Sequence, residues 1–107
     1  MRTGMKLIAA IVQDRDADEL LDALMESGFR ATKIQTTGGF LRGSSNLILI
    51  GVEPGRVDQA LDVIRDHCQI RTQLVHPKDA PYLAAPVEVN VGGAIVFVWE
   101  LERYERL

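Results

Sequence analysis

The stretch from Lys6 to Gln13, KLIAAIVQ, is apolar at every position but its ends and leaves no polar face for a helix to turn towards water. A run of this kind is a strand covered on both sides, or covered on one side and lying at an interface on the other. Two more follow, NLILIGVE and the later part of VEVNVGGAIVFVWEL, and these runs restrict the fold more than any other feature. The segments between them have a different period. In ADELLDALMESG, Ala17, Leu20, Leu21, Leu24 and Met25 recur at three- and four-residue spacing, with Asp16 placed as N-cap, Glu19 three residues on and Gly28 as the closing residue. In PGRVDQALDVIRDHC, Val57, Ala60, Leu61 and Ile64 share one face and Pro54 suits the first helical turn.

FRATKIQTT alternates large and polar residues and predicts a strand over about Phe29 to Gln35. The glycine-containing TGGFLRGSS is short enough to return the next strand antiparallel beside it. IRTQLV predicts a fourth strand, and HPKDAPYLAAP, with three of the four prolines, a loop. VEVNVGGAIVFVWEL predicts a last extended segment in which the glycine pair permits a bulge or tight bend. The order strand, helix, strand, strand, helix, strand predicts one α+β domain over residues 1–107, a ferredoxin-like βαββαβ sandwich with an extra C-terminal strand and both helices on one sheet face. The other face also needs covering, because the apolar strands would not tolerate water there. A closed homo-oligomer packed through that face is the simplest cover.

At 107 residues the chain supports one core but gains from association. Its net charge of −3, from 12 basic and 15 acidic residues, gives no field to hold a nucleic-acid polymer and no basic face for a membrane. A compact ligand with one or two phosphates needs only a few local arginines. Cys68 is the only cysteine, so no internal disulfide is expected, and neither is a zinc site. LIAAIV is too short to span a bilayer and no basic-then-apolar leader opens the chain, so the expected compartment is the cytoplasm. His67 and His76 are expected to face solvent, and no metal ligand set is predicted.

Catalytic constellations are thin: no Ser-His-Asp arrangement is present and the carboxylates fall on solvated helix faces. An acylphosphatase-like use of Arg30 in SGFR would need a placed asparagine and a loop before the first helix, and has neither. TGGFLRGSS does not end in Gly-Lys-Ser/Thr and leads into a strand, which disfavours a nucleoside triphosphatase. By its residues alone this loop serves equally as a turn or as a binding rim. Phe40 and Leu41 offer an apolar platform, Arg30, Lys33 and Arg42 cationic donors, and Thr32, Ser44, Ser45 and the glycine amides short polar contacts. A nucleotide needs all three.

KLIAAIVQDRDADELLDALMESGFRATKIQTTGGFLRG, LILIGVEPGRVDQALDVIRDHC and PVEVNVGGAIVFV, in this order and spacing, resemble the cyclic di-AMP receptors of the PII-like signal-transduction superfamily. The resemblance runs nearly end to end. It implies a non-enzymatic PII-like homotrimer that binds cyclic di-AMP between subunits, with no cofactor, and relays occupancy by loop rearrangement to an unknown downstream protein. It implies contacts from Arg30, Ala31 and Thr32, from Gly39, Phe40 and Leu41, from Gly51 and from Phe97. Arg30 and Thr32 would hold phosphate or base edges, and Phe40, Leu41 and Phe97 would contact adenine. Gly28 and Ser45 stand where members carry asparagines, and Arg106 stands where glutamine is usual and could reach phosphate. The alternative is a PII-like trimer that binds another adenine nucleotide or acts as a protein-interaction module.

Overall fold

The computed structural model describes residues 4–38 and 44–107; the expected contacts Gly39, Phe40 and Leu41, and the donor Arg42, lie outside the described residues. Strand β1 (Lys6–Gln13) runs without a loop into helix α1 (Asp14–Glu26), and β2 (Arg30–Thr36) and β3 (Ser45–Val52) follow. A 3-10 turn (Pro54–Arg56) opens α2 (Val57–His67), and then come β4 (Arg71–Val75), β5 (Val87–Val91) and β6 (Ala94–Glu100). The main sheet has the order β2-β3-β1-β6 with every pair antiparallel. The predicted fourth strand is present but pairs with β5 as a separate hairpin, and β6 takes the place beside β1. Composition explains the exchange: β4 is RTQLV, whereas AIVFVWE can line a sheet on both faces.

Strand register divides the side chains between two faces. Ile8, Ala10 and Val12 of β1 face the helices beside Ile48, Ile50 and Val52 of β3, and close on Leu20 and Leu24 of α1 and Ala60 and Ile64 of α2. Ile8, Val12, Leu20, Leu24, Ile48 and Ile50 are fully buried, each contributing about 1.5–3 kcal/mol of transfer free energy. On the outer face a row of apolar residues crosses all four strands, Ile95 against Ile11, Ile11 against Leu47, and Leu47 against Ile34. Phe97 and Trp99 of β6 share that face at 43% and 46% exposure. This is the face that the expected oligomer would cover.

Helix α1 begins two residues before the predicted cap. Gln13 is the N-cap and makes no side-chain capping bond, while Asp16 is buried within the first turn. The early start follows from contacts at the entry to β3: the Asp14 amide donates to the carbonyl of Ser44, just before the strand, at 3.1 Å, and Asn46 Nδ2 donates to the Asp14 carboxylate. Asp16 is thereby freed to accept from Arg71 Nη2 at 2.9 Å. Gln13 Oε1 accepts from the Gly92 amide at 2.6 Å, the Gly93 amide donates to the Cys68 carbonyl at 2.6 Å, and Arg15 bonds Gln73. These contacts hold the hairpin at its base. Its strands pair with each other alone, and the molecule measures 58 × 23 × 18 Å. A radius of gyration of 16.4 Å, against about 13 Å for a compact chain of this length, fits a body with an arm.

Candidate functional site

In the β2–β3 ladder Arg30 pairs with Gly51 at one end and Thr36 pairs with Ser45 at the other. Around the first end an open cleft of about 640 Å³ forms, floored by Leu49 and Gly51 and walled by Gly28 to Thr32. The C-terminal segment, tied by the Leu101 amide to the Met5 carbonyl at 2.9 Å, brings Tyr104 and Arg106 to the same cleft. Five of the expected site residues, Arg30, Ala31, Thr32, Gly51 and Arg106, thus line one cavity. The Tyr104 ring lies beside Gly51, 3.8 Å from where a Cβ would stand, an ordinary packing distance that a small side chain would tolerate. The cleft's charged lining is Arg30, Arg56 and Arg106 against Glu53. An anion fits it better than a cation does.

Arg56, which no sequence pattern singled out, is the most firmly held of these. Its Nη2 donates to the Ser27 carbonyl at 2.7 Å, its Nε donates to Gln59 Oε1 at 3.2 Å, and its guanidinium carbon lies 4.1 Å from the centroid of the Phe29 ring. Topology could have flagged it. In an antiparallel pair the turn that leaves β3 stands beside the turn that enters β2, so PGR had to approach SGFR. Tyr104 left a fainter signal, as the apolar member of a charged tail.

The other candidates stand elsewhere. Ser45 is buried at the opposite end of β3, and Thr36 Oγ1 lies 3.1 Å from its hydroxyl. At about 3.3 Å per residue, Ser45 and Gly51 are about 20 Å apart. Phe97 lies on the outer face in the row Phe97, Ala9, Leu49, Thr32, so two strands separate it from Thr32, a span of about 14 Å. Lys33, counted among the phosphate donors, points to the helix side instead. Its Nζ bonds Asp18 Oδ1 at 2.6 Å, and that hydrogen bond, reinforced by the carboxylate's charge, raises the lysine's pKa. His67 is half-buried, with Nδ1 2.9 Å from the Val63 carbonyl, while His76 is exposed. Among the described residues no group of His, Cys, Asp or Glu is placed to hold a metal ion, and no helix is long and apolar enough to cross a membrane.

A family model described as cyclic-di-AMP receptor matches residues 5–107, which takes in both walls of the cleft and the arm. The chain belongs to the cyclic-di-AMP receptor family. The receptor has the ferredoxin-like α+β fold of PII proteins, and its family is one of signal receptors and not of enzymes. A crystal structure of a functionally unknown protein from Pediococcus pentosaceus is 38% identical, with a TM-score of 0.81, and the match covers 99% of the receptor and 100% of that chain. Arabidopsis thaliana PII bound to citrate is 14% identical with a TM-score of 0.62, covering 99% of the receptor and 82% of that chain, a likeness of fold alone.

Proposed function

We propose that the receptor binds cyclic di-AMP in the cytoplasm, in clefts between the subunits of a homotrimer, and relays occupancy through ligand-ordered loops to a downstream protein. The observation that carries this proposal is the cleft itself. It gathers Arg30, Ala31, Thr32, Gly51 and Arg106 at one end of β2–β3, in a chain of the cyclic-di-AMP receptor family. Arg30 and Arg106 take the phosphates, Thr32 gives a short polar contact, and Tyr104 offers one adenine a ring to stack on.

Separation within one chain is the reason to put the site between subunits. A small ligand lying in the cleft does not also reach Phe97 about 14 Å away or Ser45 about 20 Å away. A second copy packed on the apolar outer face can bring its own Phe97, and its own Gly39, Phe40 and Leu41, to the first copy's Arg30. The ligand then shifts the loops near residues 38–46 and 76–86 only as far as it binds their ordered form better. The second of these is already braced, by amides of Asp79 and Ala80 on the His76 carbonyl and of Leu83 on the Ala80 carbonyl.

A second reading, a PII-like trimer that takes another adenine nucleotide or serves as a protein-interaction module, draws support from Ser45. Its side chain is buried and engaged with Thr36 instead of being offered to a ligand. Calorimetric titration with cyclic di-AMP, cyclic di-GMP, ATP and AMP separates the two. Saturable binding of cyclic di-AMP at one ligand per chain, weakened at least about tenfold by Arg30→Ala, is the expected result. No heat with cyclic di-AMP at about 100 µM protein, a concentration that would register binding of about −5.5 kcal/mol, ends the ligand assignment.

A further inference from the structure

Cations gathered at one place on an acidic protein mark where it meets an anion. In a chain of net charge −3, the cleft sets Arg30, Arg56 and Arg106 against Glu53 alone. Arg30 and Arg106 are exposed, whereas Arg56 is half-buried and already fixed by Ser27, Gln59 and the Phe29 ring. Tying the turn after β3 to the end of α1 accounts for Nη2, and the bond to Gln59 in the first turn of α2 accounts for Nε. It does not account for the side of the guanidinium that faces the cleft over Gly28. Nη1 and Nη2 both stand 3.8 Å from the point where a side chain at residue 28 would begin, and glycine there leaves the approach open. Gly28 has φ +86°, a conformation glycine takes without strain.

A guanidinium fork matches the geometry of a phosphate, and one held in place before binding loses little rotamer freedom when the ligand arrives. We infer that Arg56 is a phosphate-binding residue of this cleft, pre-set by Ser27, Gln59 and Phe29, and that it takes a phosphodiester of the nucleotide across the open face of Gly28. The ligand's identity rests on the receptor reading above; the anion site rests on the arginines and the pre-set guanidinium.

The test titrates the full chain and its Arg56→Gln and Arg56→Lys variants with cyclic di-AMP and with 5′-AMP at several salt concentrations, and records each unliganded thermal midpoint. Arg56→Gln is expected to weaken cyclic di-AMP binding about 10- to 100-fold and to flatten its fall with added salt, while Arg56→Lys, which keeps the charge and loses the fork, recovers part of the affinity. The Arg56 Nε–H resonance of the unsubstituted protein is expected to shift on titration, which a purely structural role would not produce. If both variants bind within twofold of the parent and that resonance stays still, Arg56 is structural and the receptor reading stands. If the parent binds AMP but not cyclic di-AMP, and Arg56→Gln weakens AMP, the anion site stands and the ligand assignment falls. Binding of neither nucleotide ends both. Should Arg56→Gln fail to fold, Arg56→Lys and the resonance decide.

Discussion

Arg71 Nη2 reaches Asp16 Oδ1 at 2.9 Å, a charged contact between the first strand of the arm and the first turn of α1. The hydrogen bond to Asp16 is the main cause of the raised pKa of Arg71, outweighing its desolvation. The carboxylate is buried, so removing the arginine leaves it without its cation. Arg71→Ala is expected to lower stability by about 1–3 kcal/mol in urea unfolding, and Asp16→Asn by less, because an amide keeps part of the hydrogen bonding. Equal midpoints for Arg71→Ala and the parent would show that the contact holds nothing.

Backbone geometry sets a second expectation at the arm's root. Gly92 has φ +86°, and a Cβ there would fall 2.4 Å from the Gln69 carbonyl oxygen and 2.7 Å from Arg71 Nη1. Gly92→Ala is therefore expected to lower the thermal midpoint by about 5 °C or more, and Gly55→Ala, with nothing within 4 Å of its Cβ, to leave it nearly unchanged. Scanning calorimetry on the two variants checks the contrast.

Cys68 gives a pH dependence. Burial, helped by the charge of Asp16, pushes its thiol pKa from 9.0 up to about 12. Between these values the unfolded chain has released the proton and the folded chain keeps it. The unfolded state then binds fewer protons, and stability falls as pH rises from about 9 towards 12. Melting curves of the parent are expected to decline across that window more steeply than those of Cys68→Ala. At pH 8, labelling by a disulfide reagent should require opening of the fold.

The outer face makes assembly testable. Trp99 and Phe97 sit 46% and 43% exposed on the same face as the row from Ile95 to Ile34. If that face is where three copies meet, Trp99→Glu places a charge in the interface, and sedimentation should show the mass fall from three chains to one. An unchanged mass would put the interface elsewhere.

The physical reach of each signal decided what the sequence disclosed. KLIAAIVQ was legible to its ends because a run with no polar face has only one common use, and β1 spans those residues. The start of α1 was not, because the contacts that begin it early come from Ser44 and Asn46, and the partner that buries Asp16 lies 55 residues away. The βαββαβ order assigned the place beside β1 to IRTQLV, and the structure gives it to β6, because AIVFVW is apolar at every position whereas RTQLV is not. At the cleft, Arg30 to Thr32 and Gly51 followed from a resemblance, whereas Arg56 and Tyr104 depend on how turns meet at one sheet end. Lys33 went the other way: period-two alternation already put it on the face opposite Arg30 and Thr32.

The hairpin of β4 and β5 shares no backbone ladder with the main sheet. Insertions and deletions near its tip therefore leave every hydrogen bond between the main strands intact. Descendants of this sequence can lengthen, shorten or redecorate the projection while inheriting the cleft between Arg30 and Gly51 unchanged, and a lineage can alter what the projection touches without relearning how to fold.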